Sequence, residues 1–277
     1  MPVPYESKIF KQLTRITERL LSLAMIDQLY YSQRNFNGLA IQELLVLIPR
    51  GKHHHIAEVR PIIQMVMYEF PNINHHVFYT DEVRQNLFLG SGAFISRCHV
   101  NHLIYINPHS SPIMSNIKDL HIHIDRATDR LKQELEKINS FKQGYEFYFK
   151  RRDMQLCAFM LHQTFELLYR MTQVVFLGRC KISHHLHYHH KQLIHYLPQL
   201  RTIFDLNHDY DMYLLELLNS SYLSVRYENN YDIRMEDLEC LIYKCQQIEE
   251  LLKESCYEML RHYKTQQISK ELTEDVQ

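Results

Sequence analysis

Residues 156–178, LCAFMLHQTFELLYRMTQVVFLG, are apolar almost all the way round a helical wheel. Such a helix satisfies its own backbone but carries apolar surface on every side, so it is stable only when other helices surround it. Gly178 closes the run, and glycine takes the left-handed conformation that ends helices. The stretch therefore predicts a helical bundle with this segment at its centre. In its middle, His162, Gln163 and Glu166 lie within about one turn and share a face, either as a buried hydrogen-bonded cluster or as the lining of a cleft.

The segments around it fit a bundle of four or five helices. Residues 117–149 are charged and amphipathic, YDMYLLELLNSSYLSV is strongly apolar, and a long helix is predicted from Met235 onward. Between them runs KISHHLHYHHKQLIHYLPQL. His185 and His189 are spaced four apart like a helical ligand pair, but no cysteine or acid completes a set with His184, His187 or His190. A solvated connection without metal is expected there. HIHID at 121–125 is expected to be a solvated helix face, and the Asp-x-Asp of Asp209 and Asp211 to cap a helix. Arg226 is set among aromatic residues in YLSVRYENNYDI, where the apolar stretch ends. It either pairs with Glu228 or another acid, or meets an anion.

The first 115 residues read differently. Six glycines in 277 residues argue against a turn-rich all-β fold and against a glycine-rich phosphate loop. KIFKQLTRITERLLSLAMIDQLYYS predicts one opening amphipathic helix, with Ile9, Leu13, Ile16, Leu20 and Leu23 at helical spacing. IQELLVLIP, INHHVFYT and HLIYINP predict three strands. IAEVRPIIQMVMYEF predicts a helix between the first two, with Pro61 near its first turn. His53 to His55 precede that helix, either as an exposed loop or as imidazoles near a phosphate. NPHSSPIMSN interrupts all periodicity, so the boundary is placed near residue 115. The expected fold class is α+β in two domains: a small α/β domain over 1–115, an all-α up-down bundle over 116–264, and a polar tail over 265–277.

Charge and cysteine usage bound the function. Lys plus Arg number 31 against 32 Asp plus Glu, which lacks the basic bias of a non-specific polyanion binder. Six cysteines without a Cys-x-x-Cys pair read as reduced thiols. No basic-then-apolar leader pattern and no bilayer-length apolar run occur, so a cytoplasmic protein with no membrane contact is expected.

AFMLHQTFELLYRMTQVVFLG, a polar His-containing connection and then LLELLNSSYLSVRYENNYDI resemble the HEPN domain, over roughly residues 117–262. The likeness rests on Leu161, His162 and Gln163 and on the Tyr222–Tyr231 segment. More weakly, TDEVRQNLFLGSGAFISRCHVNHLIYIN resembles part of the nucleotidyltransferase-like domain that often precedes HEPN. The resemblance implies a prokaryotic stress or toxin-antitoxin-like context and a homodimer through the helical half. Transferases of that type need two alternating acids on a strand to hold a metal pair. Matching IQELLVLI to that strand puts Ile41 and Glu43 at the two acid positions, which implies a degenerate transferase strand. HEPN ribonucleases carry an arginine followed by four to six residues and a histidine. Arg226 matches the arginine, whereas Tyr231, Asp232 and Ile233 stand at the histidine positions. A phenol is a poor base at neutral pH beside an imidazole. The expectation is a non-catalytic nucleotide- or RNA-binding protein without catalytic residues, cofactor or metal. Its candidate ligand-binding residues are Arg226, Tyr227, Asn230, Tyr231, His162, Gln163 and Glu166. Two alternatives stay open: a metal-independent ribonuclease with His162 or a connection histidine as base, and a purely structural interaction module.

Overall fold

The computed structural model describes residues 8–36, 38–51, 55–114, 117–180, 182–227 and 231–274, without the side chains of residues 36, 39, 117–119, 226, 227 and 265–274. The chain divides into two compact units, Met1–Arg126 and Ala127–Gln277. The fold is α+β: a small four-stranded mixed sheet, then a largely helical region. The division falls inside a long helix that starts at Ile117, beyond the polar stretch at residue 115.

In the first unit, helix α1 (Lys8–Leu23) buries Leu13, Ile16 and Leu20. It stops short of the expected length. Gln28–Phe36 forms strand β1, hairpinned to β2 (Leu39–Ile48) with Phe36 opposite Leu39. The aromatic pair Tyr30 and Tyr31 extends an apolar period that looks helical, yet aromatic side chains also suit a strand. Gly38 turns the hairpin at φ 78, a conformation glycine adopts without strain. Helix α2 (Ile56–Met67) leads to β3 (Asn74–Tyr79), which lies parallel to β2. Pro61 sits in the second turn of α2, not the first, and buried Val59, Ile63, Val66 and Met67 hold the helix on the sheet despite the lost donor. Helices α3 (Thr80–Phe88) and α4 (Ala93–Arg97) and a short turn precede β4 (Leu103–Ile106). The strand order is β3-β2-β1-β4.

Pairing register sorts the side chains onto two faces, since alternate residues of a strand point opposite ways. Leu29, Tyr31, Leu44, Val46, Ile48 and Val77 form one core with α1 and α2. Ser32, Arg34, Ile41, Glu43, Leu45 and His76 fall on the other face.

The second unit is built on α5 (Ile117–Lys150), which begins in the first unit, and α6 (Met154–Leu177). Asp153 caps α6 by accepting from the amide of Leu156 (3.2 Å), and Gly178 ends it at φ 78, as its sequence predicts. Helices α7 (Leu186–Leu193), α8 (Leu200–Ile203), α9 (Asp209–Tyr227) and α10 (Met235–Glu274) complete it. Helix α6 packs against α7, α9 and α10. Its fully buried Leu161, Phe165, Leu168 and Phe176 each contribute about 1.5–3 kcal/mol of apolar burial. Among the described residues, no helix is long and apolar enough to cross a membrane.

HIHID is not wholly solvated: Ile124 is buried and His123 Nδ1 lies 3.2 Å from the Leu87 carbonyl. Asp209 and Asp211 stand in the first turn of α9. Asp211 accepts from the amide of Asp205 (2.8 Å) and pairs with Lys244 (2.9 Å), so a neighbouring helix engages it as well.

Candidate functional site

Glu43 lies on the central strand β2 with 1% exposure, and its carboxylate meets cations from two other elements. Arg97, itself 1% exposed on α4, grips both oxygens: Nη2 donates to Oε1 (2.5 Å) and Nε to Oε2 (3.2 Å). Its remaining Nη1 donates to the Ala93 carbonyl (3.2 Å). Arg34 on β1 donates to Oε2 as well, and His76 Nε2 lies 3.4 Å from Oε1. Burial pushes the Glu43 carboxyl up, but Arg97 and then Arg34 outweigh it and hold the group well below the usual carboxylate range. Ile41 is buried two residues away on the same face. Both acid positions of the transferase pattern are therefore closed: one is apolar, and the other has its oxygens occupied by guanidinium groups.

The second cluster gathers on α6, α9 and the connection before α7. His162 is fully buried. Its Nε2 donates to the His184 carbonyl (2.8 Å), which leaves Nδ1 to accept from Gln163 Nε2 (3.1 Å). Burial pushes this imidazole down to about 4, with the bond to the carbonyl opposing the shift. His189 is also fully buried, and its Nε2 donates to the Ser183 carbonyl (2.8 Å). Two core imidazoles thus pin consecutive carbonyls of the connection, and the His184 side chain is fixed by that anchorage.

The His184 imidazole is itself 51% exposed. Its Nδ1 donates to Glu166 Oε2 (3.0 Å), while Glu166 Oε1 accepts from Arg170 one turn along α6 (3.1 Å). The carboxylate, 5% exposed, fixes the tautomer and turns Nε2 into the acceptor. Tyr222 of α9 stacks on the ring at 4.1 Å between centroids and 17° between planes, with its hydroxyl 3.1 Å from Nε2. An imidazole oriented by a buried carboxylate, with its other nitrogen at the surface, is able to accept or donate a proton or bond an anion. His190 is buried too: Tyr169 donates to Nδ1 (2.9 Å) and Nε2 donates to the Phe204 carbonyl (2.9 Å). The histidine-rich connection is thus not wholly solvated: His184 and His185 are exposed, but His189 and His190 are buried, and a ring nitrogen of each already bonds a main-chain carbonyl. Among the described residues, no group of His, Cys, Asp or Glu is arranged to hold a metal ion.

The remaining sequence candidates separate. His162, Gln163 and Glu166 come together as one hydrogen-bonded cluster beneath His184. Tyr231 is 5% exposed with its hydroxyl enclosed and unbonded, and its ring packs inside the bundle and is not presented to a ligand. Arg226 and Tyr227 end α9, one turn and more beyond Tyr222, and their side chains lie outside the described residues, as do Asn230, Glu228, His53 and His54. The sequence does not single out Tyr222 as a site residue, and it offers His184 only as one of several connection histidines. The clue was indirect, since only the buried Glu166 with no cation nearer than Arg170 asks for a partner from elsewhere.

No protein-family model and no curated protein matches this chain.

Proposed function

We propose that the helical unit is a HEPN-like module that binds a nucleotide or RNA, as a homodimer, on the surface where α6, α9 and the connection before α7 meet. The observation that carries this reading is the half-exposed His184, locked by Glu166 on one side and stacked by Tyr222 on the other. An imidazole N–H or N and an aromatic face suit a phosphate oxygen and a base. Arg226 stands four residues beyond Tyr222 on α9, a spacing that brings two positions to one helix face. The first unit serves this reading as a degenerate nucleotidyltransferase-like domain, because Glu43 has no oxygen left for a metal pair.

A second reading follows from the Glu166–His184 bond. With Nδ1–H directed at Glu166, Nε2 is the nitrogen that takes the proton of an RNA 2′-hydroxyl in metal-independent cleavage. The test is binding of single-stranded RNA and nucleoside triphosphates at two salt concentrations, with cleavage of the same RNA in the absence of divalent ions. His184→Ala and Arg226→Ala are each expected to weaken binding by about 1–3 kcal/mol, the range of arginine contacts to bases, with stability within about 0.5 kcal/mol for Arg226→Ala and lowered by about 1 kcal/mol for His184→Ala, which takes a hydrogen bond from buried Glu166. Unchanged affinity in both variants overturns the proposal. Cleavage lost in His184→Ala moves the assignment to a ribonuclease.

A further inference from the structure

Helix α5 ends in a closed pair of main-chain bonds: the Asp153 amide donates to the Tyr148 carbonyl and the Arg152 amide to the Phe149 carbonyl, each at 3.0 Å. This motif puts Arg152 in the left-handed conformation, φ 58, at the place where helices usually end in glycine. Gly178 ends α6 at φ 78 without cost, whereas a β-carbon at such a φ is strained. Among the described residues Arg152 is the one non-glycine residue with positive φ. It closes a run of three exposed cations, Lys150, Arg151 and Arg152, none of them in an ion pair among the described residues. Lys150 shares a groove with Glu146 and Glu239, whose charges offset it. Arg151 lies elsewhere, with its guanidinium 5.3 Å from the centroid of the Phe147 ring, which is 52% exposed. The neighbouring acid, Asp153, is turned to the Leu156 amide as the cap of α6. From this turn α6 leads to the His184 cluster: Phe159 in its second turn lies 6.4 Å and 18° from the Tyr222 ring, which stacks on His184. The rise from Met154 to Glu166 is about 18 Å.

We propose that the turn between α5 and α6 holds the phosphate backbone of a single-stranded RNA that runs along α6 to His184. The inference rests on the nucleotide or RNA reading of that surface and narrows its ligand to a strand, because a free nucleotide does not span the two places. A guanidinium bonds phosphate oxygens through two N–H groups at once, and one without a carboxylate partner keeps its donors for them. Proteins that bind single strands combine cations along the backbone with rings on which bases stack, and here Phe147 and Phe159 stand beside the cations and on the way to His184. A cation at the carbonyl end of α5 is favourable in itself, but Lys150 in the last turn supplies that without a left-handed backbone. A strained residue that glycine would relieve points to a use for its side chain.

The test follows binding of labelled oligouridylate to the full chain by fluorescence anisotropy over a series of salt concentrations, beside binding of uridine monophosphate. Arg152→Gly suits the backbone it enters and is expected to keep or raise the melting temperature. Combined with Arg151→Gln, it is expected to lower the slope of log affinity against log salt by about 1.4, at about 0.7 for each phosphate contact of a single strand. Affinity for uridine monophosphate is expected to stay unchanged in that double variant, whereas His184→Ala weakens both ligands. An unchanged salt slope in the double variant overturns the proposal, and a loss in His184→Ala alone then leaves the reading of the His184 surface standing. A lowered slope in the double variant with no loss in His184→Ala keeps the turn as an RNA contact and sinks that reading instead. A lower melting temperature in Arg152→Gly with unchanged RNA affinity assigns the arginine to the helix end and overturns the proposal. Polyglutamate competing as strongly as the RNA overturns it too, because the turn then serves an acidic protein.

Discussion

Two buried glutamates organise the two halves of this protein, and they do opposite things. Glu43 in the sheet unit faces two arginines, and the fork of Arg97 covers both its oxygens from inside the fold. Its charge is matched where it stands and nothing of it reaches the surface. Glu166 in the helical unit meets one half-exposed arginine and one half-exposed histidine. Its charge acts outward, through the ring of His184. The lesson is that burial of a carboxylate does not by itself mark a site; what matters is whether its partners end in the core or at the surface.

Removing each carboxylate should expose this difference. Glu43→Gln leaves Arg97 and most of Arg34 buried without a counter-charge, and breaking such a pair costs about 3–5 kcal/mol. Glu166→Gln keeps the side-chain shape and releases a guanidinium and an imidazole that water can reach, so about 1 kcal/mol is expected. Urea unfolding of the two variants beside wild type measures both. Equal losses would break the contrast, because they would mean that Glu166 is as much a core ion pair as Glu43.

Acid should separate the halves next. Burial, opposed by bonds to main-chain carbonyls, pushes His162 and His190 in the helical unit down to about 4. Each is neutral when folded and titrates near 6.5 when unfolded, so the unfolded chain binds more protons between those values. Their contribution is present above about pH 6.5 and is lost as pH falls toward 4, at about 2 kcal/mol per histidine between pH 7 and pH 5. His75 in the sheet unit is lowered by burial too and adds to the loss in the same direction. Glu43, held below its usual range, contributes above the unfolded carboxylate pKa and is lost only as pH falls through its lower folded value. Urea unfolding at pH 7, 6 and 5 should therefore show most of the decline before Glu43 titrates. A stability unchanged down to pH 5 would mean that the core imidazoles are already solvated.

How much of this was legible in the sequence depended on distance along the chain. The all-round apolar helix and its stop at Gly178 are local features, and so is the Leu13, Ile16 and Leu20 stripe. Strand β1 has a local signature too, since Asn37-Gly38 is the two-residue hairpin pair, but the apolar period running on through Tyr30 and Tyr31 competes with it. Glu166 and His162 are four residues apart, and their shared face follows from helix geometry. The step from Glu166 to His184 crosses 18 residues and exists only after the connection folds back. Arg97 gave no signal at all, since one arginine in FISRCHV looks like any other until α4 lays it over β2. Spacing likewise made His185 and His189 resemble metal ligands, whereas packing sends His189 to a carbonyl.

The smallest expected effect tests how Tyr222 helps His184. Its hydroxyl is 3.1 Å from Nε2, which reads as a hydrogen bond, but the two rings are nearly parallel at 17°. The lone pair of an imidazole nitrogen lies in the ring plane, so a hydroxyl carried on a stacked ring approaches it poorly aligned, and alignment governs strength. The ring should therefore matter more than the oxygen. Tyr222→Phe keeps the stack on His184 and the ring contact to His162, and is expected to change stability and RNA affinity by less than about 0.5 kcal/mol. Tyr222→Ala removes the aromatic surface and is expected to cost about 1–3 kcal/mol of RNA binding, the scale of base–aromatic stacking by alanine substitution. If Tyr222→Phe proves as damaging as Tyr222→Ala, the hydroxyl is the working group, and the outward path from Glu166 continues past His184 to the phenol.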